Sequence, residues 1–471
     1  MRNFTYALID DNAIKRKIAI LEALNNGKNL VSSKDIADQL QCSTRTIAND
    51  ISQLKKELPE NWDVISVKTS GYILIKPMTE SILPIINNYL IESVIYKIML
   101  GIFNNKYYTL EKWSQLLFIE KSTLWRYIKK YKIFLKENML SINPRQLRLE
   151  GDEVNIRHYY ITFFYFTQKF TNEPLLPAHL VKKLSFVVAR NEINIHWHLF
   201  LSIIFVWIHR IHNKHYITKD IKIEPIYTED QINYVNEVIV EIEDYYGIKI
   251  PKKEKDKLSI DLFVCSSSTD IQRELIIEYF KKFNRELYES YLILINILLT
   301  ENNVPSELNR KLENGLMACY YKTFIYNELK IASSYSHDPL KHAENVLQNH
   351  KKNITLVSSW NTKHNYEKFS REEVTHFATW ATIILNSVIK ERHILLFSSG
   401  IPHEDYVIYT KLKQNLGGNI KIYTTFNNDI EYDLIISNFE IPDSKIPVIS
   451  FTGMMTENEI NYIKNYILNL K

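Results

Sequence analysis

The hydrophobic positions near the N-terminus repeat with the period of an α-helix and are interrupted by two turns. A first apolar stripe ends at the Asn-Asn-Gly turn of residues 25–27. A second helix is expected to begin at Ser32, which forms a capping pair with Asp35. Ser43 is a natural N-cap for a third helix over residues 44–58. The pattern therefore predicts three short helices in succession.

The third predicted helix has one apolar face and one polar face. Its apolar residues are spaced four, three and four apart: Ile47, Ile51, Leu54 and Leu58. The residues that we expect to face DNA are Arg45, Thr46, Asn49, Gln53 and Lys56. Arginine and asparagine each offer a bidentate hydrogen-bond pair to a base edge. A short helix, a tight turn and a second helix of this kind predict a helix-turn-helix that enters the major groove.

A β-hairpin is predicted directly after the three helices. Residues 62–65 and 72–75 are rich in β-forming side chains, and a Ser-Gly turn lies between them. Lys68 lies near the tip of this hairpin, where it could contact a phosphate. A helical bundle with a chance hairpin is the alternative. Three helices followed at once by a hairpin favour a winged helix-turn-helix.

The same pattern returns later in the chain, which indicates a repeated module. A short helix over residues 109–117 precedes a longer helix that Ser122 is expected to cap and that runs to Leu135. The inner face of the longer helix repeats the four-three-four spacing, with Leu124, Ile128, Tyr131 and Leu135. A second wing is predicted over residues 140–149. We therefore expect a second DNA-binding unit.

The outer face of this later helix is more basic than that of the first. It carries Arg126, Lys129, Lys130 and Lys132, and residues 101–150 contain ten Lys or Arg against four acids. A run of charge is usually a solvated helix face, and that alternative stays open. The matched inner face favours DNA instead, with contacts to phosphates that supply affinity more than sequence selectivity.

The remainder of the chain is predicted to be mostly helical until a C-terminal α/β segment. Residues 155–390 show helical periodicity with neither a nucleotide-binding glycine loop nor an HExxH motif. Four short apolar strands are then predicted, and they imply a small parallel sheet covered on both faces. The strands cover residues 394–397, 420–423, 434–436 and 448–451.

Composition sets the class of protein. The chain of 471 residues is 45% hydrophobic and 24% charged, with 10 Gly and 13 Pro, which is typical of a folded, mainly α-helical protein of three to five domains. Its most apolar run is residues 199–208, too short to span a bilayer. The first residues lack the pattern of a signal peptide. We expect a cytoplasmic protein that is not an enzyme and binds neither membrane, metal nor cofactor.

These features together resemble the Mga- and anthrax-toxin-activator-type virulence regulators, which contain phosphotransferase-system regulation domains (PRDs). The resemblance rests on CSTRTIANDISQLKKELPENWDVISVKTSGYILIKP near the N-terminus and YDLIISNFEIPDSKIPVISF near the C-terminus. HLFLSIIFVWIHR and EEVTHFATW fit between them. The resemblance covers essentially the whole chain in the same order.

The resemblance implies a mainly α multidomain architecture of five modules. These are two DNA-binding domains of the winged-helix or helix-turn-helix type, two all-helical PRDs and an α/β domain similar to the sugar-transport component EIIB. The expected bounds are 1–77 and 78–160 for the DNA-binding domains, 161–285 and 286–390 for the PRDs, and 391–471 for the EIIB-like domain.

The resemblance also implies how the regulator is controlled. Matching HLFLSIIFVWIHR selects His198 rather than its neighbour His196, and matching EEVTHFATW selects His376, as residues phosphorylated by the phosphocarrier protein HPr. The loop after the first EIIB-like strand, residues 398–400, has no cysteine, so we expect assembly rather than phosphoryl transfer there. The implied partners are double-stranded promoter DNA, HPr, a second copy of the chain in a homodimer, and RNA polymerase.

Two other classes of protein share parts of this pattern. A phosphotransferase-system component would have similar histidine-containing helical regions and an EIIB-like tail, but here the tail lacks its cysteine. A PRD-containing RNA-binding antiterminator would begin with a small β-rich module rather than three helices and a wing. Both alternatives fit the N-terminal residues less well than a DNA-binding regulator, which we expect to be a transcription activator of virulence-type genes.

Overall fold

A computed structural model describes most of the chain. The described residues are 2–26, 30–67, 70–168, 174–221, 223, 225–302, 304, 309–331, 349–366, 368–387, 392–399, 402–416, 420–451 and 455–469. The chain divides into two compact units, Met1–Thr382 and Ile383–Lys471, which are described separately.

The N-terminal segment forms the predicted winged helix-turn-helix, preceded by one short helix. Its elements are α1 (Arg2–Leu8), α2 (Asn12–Asn26), α3 (Ser33–Leu40), α4 (Thr44–Glu57), β1 (Asp63–Val67) and β2 (Gly71–Ile75). The side chain of Ser32 caps α3 and that of Ser43 caps α4, as the sequence predicts. Lys68 lies outside the described residues.

The wing is pinned to the segment that precedes α3. β1 and β2 pair antiparallel, and Val31 and Tyr72 exchange two backbone hydrogen bonds of 2.9 Å. Gly71, which opens β2, has a φ of +140°, and a Cβ there would lie 2.1 Å from the Val31 carbonyl oxygen. Only glycine allows this close approach of two backbones.

The second predicted unit follows directly. Its elements are α5 (Leu83–Glu92), α6 (Val94–Phe103), α7 (Leu110–Leu116), α8 (Lys121–Glu137), β3 (Ser141–Ile142), β4 (Leu149–Glu150) and α9 (Glu153–Gln168). β3 and β4 form the predicted short wing. The prediction that Ser122 caps α8 is wrong, because α8 already begins at Lys121 and the N-cap position belongs to Glu120.

The core of the second unit confirms the predicted inner face. All four of its side chains, Leu124, Ile128, Tyr131 and Leu135, are buried. Gly101 of α6 lets the Trp113 indole of α7 pack against it, because a Cβ at that position would lie 2.4 Å from the ring. This close approach joins the helix pair α5–α6, which the hydrophobic pattern alone did not specify, to the helix-turn-helix.

The middle of the chain is a succession of helices, as predicted. They are α10 (Ala178–Arg190), α11 (Trp197–His212), α12 (Glu229–Tyr246), α13 (Lys252–Cys265), α14 (Asp270–Phe283), α15 (Arg285–Glu301), α16 (Asn309–Leu329), α17 (His350–His364) and α18 (Arg371–Ser387). Within the described ranges, no single helix is both long and apolar enough to cross a membrane; α5 and α6 together pass on length and composition alone, with a 72° bend between them.

The C-terminal unit contains the predicted small parallel sheet. Its elements are β5 (Arg392–Phe397), α19 (Pro402–Leu416), β6 (Ile420–Tyr423), β7 (Leu434–Ser437), β8 (Val448–Ser450) and α20 (Glu457–Asn469), with strand order β6-β5-β7-β8. α19 and α20 pack against one face of the sheet through a buried cluster that includes Ile394 and Ile436. Loop side chains such as Tyr432 cover the other face around Leu395.

Candidate nucleic-acid interface

The outer face of α4 is open to solvent, as a DNA-reading helix requires. Arg45, Asn49, Gln53 and Lys56 are exposed, whereas Ile47, Ile51 and Leu54 on the opposite face are buried. Thr46 is half-buried, and its hydroxyl lies 2.9 Å from the Ser43 hydroxyl. Thr46 therefore helps to close the N-terminus of α4, while the exposed residues are free to meet a groove.

An ion pair with a buried carboxylate links α4 to α2. Both carboxylate oxygens of Asp50 accept hydrogen bonds from Arg16, at 2.7 and 3.1 Å, and the Asp50 side chain is 6% exposed. This bonding raises the pKa of Arg16. A bidentate pair fixes direction as well as distance, so it sets the angle between the two helices. The hydrophobic pattern did not identify Asp50 as part of this helix contact. Its position directly before Ile51, at the edge of the buried face of α4, is the sequence signal that could have indicated it.

The two helix-turn-helix units align residue by residue. Gln41 and Phe118, in the turns before α4 and α8, both have left-handed backbone angles, with φ of 51° and 54°. From these turns onward, the buried residues Leu124, Ile128 and Tyr131 take the places of Ile47, Ile51 and Leu54. These matching positions give α8 the place in the second unit that α4, the predicted recognition helix, has in the first.

The basic residues of α8 do not all point the same way. Arg126 and Lys129 are exposed. Lys130 is exposed as well, but it donates a hydrogen bond of 3.0 Å to the Asn12 side chain at the start of α2. Lys132 is half-buried, with its ammonium 4.9 Å from the centre of the Trp125 ring. The predicted basic patch is therefore split between an open surface and a junction with the first unit.

Further contacts fasten the same junction. Asp10, between α1 and α2, accepts a 2.9 Å hydrogen bond from the backbone of Val94 at the start of α6. Burial raises the pKa of this carboxyl above its usual value. The Tyr89 hydroxyl of α5 donates to Glu57 at the end of α4. Polar contacts near the start of α2 and at the end of α4 thus join the two units.

A buried charge network connects the second unit to α11, the helix whose first turn contains the predicted phosphorylation site His198. Arg157 of α9 is 1% exposed and donates to Glu254 of α13 at 2.6 and 3.1 Å. Glu153 of α9 accepts from Arg157 and also, at 2.6 Å, from Arg210 of α11. Buried charges satisfied in this way resist separation, because removing one partner strands the other.

The two predicted phosphorylation sites differ in exposure. His198 lies in the first turn of α11 and is exposed, and its carbonyl accepts a hydrogen bond from Ser202. His376 lies in α18 and is half-buried, with its ring 6.5 Å from that of Trp380. His196, the neighbour of His198, instead occupies the N-cap position, where its backbone N–H donates to the Cys265 carbonyl.

The loop after β5 is held to the loop after β7. Ser399 and Asn438 exchange hydrogen bonds of 2.8 and 2.9 Å, and Ser398 donates to Asp405.

Neither a disulfide nor a metal site is found among the described side chains. The three cysteines, Cys42, Cys265 and Cys319, are free thiols. Across the described ranges, no group of three or more His, Cys, Asp or Glu side chains is arranged to hold a metal ion.

Comparison with known proteins agrees with this geometry. Residues 16–73 match the HTH domain family, and residues 78–164 match the Mga helix-turn-helix domain family. The capsule synthesis positive regulator AcpB of Bacillus anthracis is 23% identical over 96% of this chain and 98% of its own length. The anthrax toxin expression trans-acting positive regulator of the same organism is 21% identical over the same shares.

A third relative comes from another genus. The putative trans-acting regulator of Streptococcus pneumoniae serotype 4 is 20% identical over 97% of both chains. All three alignments extend across the N-terminal domains, the helical middle and the C-terminal sheet. The chain is thus a DNA-binding transcription regulator with two helix-turn-helix domains, related over nearly its whole length to the Mga- and anthrax-toxin-activator-type regulators.

Proposed function

We propose that this chain activates the transcription of virulence-type genes by binding double-stranded promoter DNA through both helix-turn-helix units. The observation that carries the proposal is the pair of matched recognition helices, each with a buried inner face and an open face. Arg45 and Asn49 provide base-reading groups on α4, and Arg126 and Lys129 provide charge on α8. Activation is supported by relatives whose names describe positive regulators.

A nucleic-acid binding assay would distinguish this function from that of an RNA-binding antiterminator or a component of the phosphotransferase system. The full chain would be mixed, at one fixed salt concentration, with duplex fragments of the source genome and with hairpin RNAs of equal length. We expect retention of a few duplex fragments, with footprints on one region of each. Preferential retention of hairpin RNA would contradict the proposal, as would equal weak binding to every nucleic acid.

Phosphorylation of His198 and His376 by HPr is the proposed control. His198 is exposed in the first turn of α11, where the helix dipole favours a negative charge. A neutral imidazole has a nucleophilic nitrogen, and a phosphoryl group adds up to about two negative charges. α11 also contains Arg210, which is bonded to Glu153 of the second DNA-binding domain. Charge added at the N-terminal end of α11 is thus connected to α9 through the ion pair at the other end of the same helix.

We further propose that the regulator acts in the cytoplasm as a homodimer, with contacts supplied by its C-terminal unit, and that it recruits RNA polymerase. Three aromatic side chains of that unit, Tyr406, Phe426 and Tyr462, are more than half exposed. Exposed aromatic residues are common at protein interfaces. Deletion of residues 391–471 is expected to lower the dimer fraction in sedimentation. An unchanged dimer fraction would locate the interface elsewhere.

A further inference from the structure

An exposed indole interrupts the basic face of the second recognition helix. Trp125 is 38% exposed, although the neighbouring inner-face residues Leu124 and Ile128 are fully buried. Ser122, Arg126 and Lys129 lie three residues before, one after and four after it, so all of them share the outer face of α8. The tryptophan is therefore part of the surface that would meet DNA and not part of the core.

The corresponding position of α4 makes the tryptophan distinctive. In the alignment of the two units, Ala48 takes the place of Trp125, and Ala48 is also exposed. In α8 the ammonium of Lys132 lies 4.9 Å from the indole centre. A cation over an indole face is attracted by the ring and restricts its orientation. The indole is thus held in place between the polar and basic residues of this part of the helix.

We propose that Trp125 contacts thymine methyl groups in the major groove and makes the second unit selective for sequence. This inference rests on the proposed function, because it requires α8 to enter a groove of duplex DNA. Charge complementarity favours DNA as the partner, since Arg126 and Lys129 flank the indole and attract phosphates. The C5-methyl of thymine is the apolar group that a base edge offers there. N-terminal residues of a recognition helix are the ones that reach bases.

The test uses thymine and its analogue without the methyl group. The wild-type full chain would first select duplexes from a random pool, and the tightest would be resynthesised with deoxyuridine at each thymine in turn. Burial of one methyl group is worth ~0.8 kcal/mol, so wild-type affinity should fall about fourfold at one or two positions. Trp125→Ala should bind the unmodified duplex more weakly and show no further decrease in affinity at those positions.

Ile133→Ala is the matched control. Ile133 is 67% exposed on the same side of α8, two turns further from the N-terminal end that reaches bases. This variant should keep the wild-type response to deoxyuridine. Trp125→Phe should retain part of the response, because a smaller aromatic ring can still reach a methyl group.

Three outcomes would overturn the inference. Trp125→Ala could retain the deoxyuridine penalty, or the wild-type chain could be insensitive at every thymine. The variant could also bind DNA normally and lose only promoter output, which would mean that the indole meets a protein. In all three cases the chain still selects DNA, so the proposed function stands. Failure of the wild-type chain to select any duplex would instead contradict the proposed function itself.

Discussion

Lys130 on the second recognition helix is hydrogen-bonded to Asn12 at the start of the first DNA-binding domain, across 3.0 Å. Lys15, one turn into α2, has its pKa lowered to about 8, first by burial and then by the charge of Lys130. Lys130, an exposed residue that is predicted to contact DNA, therefore also makes a surface contact between the two domains.

Removal of individual charges on α8 should distinguish residues that contact phosphates from the residue that contacts the first domain. The double variant Arg126→Ala/Lys129→Ala is expected to weaken binding to all duplexes similarly. It should reduce the slope of log affinity against log salt by about one for each phosphate that the variant no longer neutralises. Lys130→Ala should change that slope little, because its ammonium is engaged by Asn12. Binding measured at four salt concentrations checks this, and equal slopes for all variants would contradict it.

Sequence-specific contact by the first unit should depend on α4. Arg45→Ala is expected to weaken promoter binding by about 1–3 kcal/mol while leaving the domain folded, because Arg45 is exposed and can pair with a base edge. Ile51→Asp should unfold the domain, because Ile51 is 2% exposed and a carboxylate there would have no solvent. Circular dichroism and DNA binding would be measured together. Equal loss of structure in both variants would disprove the assignment of the two faces.

Acid should weaken the packing of α6 on α11. The His209 ring stacks on Phe103 with centres 3.9 Å apart, and burial, followed by the charge of Arg210, lowers the pKa of His209 to about 4. The unfolded chain, with a pKa near 6.5, then binds more protons than the folded one between these two values. The stability contributed by neutral His209 is therefore complete above about pH 6.5 and is lost as the pH falls toward 4.

Urea unfolding at pH 7.5 and at pH 5.0 would measure this loss. His209→Gln cannot be protonated in this range, so its transition midpoint should change less with pH than that of the wild type. His212→Gln is the matched control, because His212 is exposed near the end of the same helix. If His209→Gln and the wild type lose the same stability, the buried imidazole is not the acid-sensitive group.

Phosphorylation should be visible in promoter output. Replacement of His198 or His376 by Asp supplies a negative charge, and replacement by Ala removes the acceptor nitrogen, so a working switch should respond in opposite directions at one or both sites. Reporter activity would be compared with the same replacements at His196 and His364. Identical responses to Ala and Asp at both proposed sites, in folded protein, would exclude this control.

Most of the local structure was determined by the sequence itself. The spacing of Ile47, Ile51 and Leu54 selects the inner face of α4, and the same spacing selects that of α8. Side-chain caps at Ser32 and Ser43 set where helices begin. These features involve residues within a few positions of each other, which is why a pattern predicts them. The prediction of an N-cap at Ser122 was wrong because α8 begins earlier, at Lys121. The N-cap position belongs to Glu120, whose side chain forms no capping hydrogen bond.

The tertiary structure alone decided how these elements meet. The pairs Arg16–Asp50, Lys130–Asn12 and Arg157–Glu254 join residues far apart in the chain. Periodicity shows that a polar residue lies on a given face, but it does not show which distant group faces it. Lys129 and Lys130 are neighbours in sequence and both are exposed, yet Lys130 is the one whose ammonium reaches Asn12 of α2. An α-helix turns each successive residue through about 100°, so the position of a second helix beside α8 decides which of the two lysines can contact it.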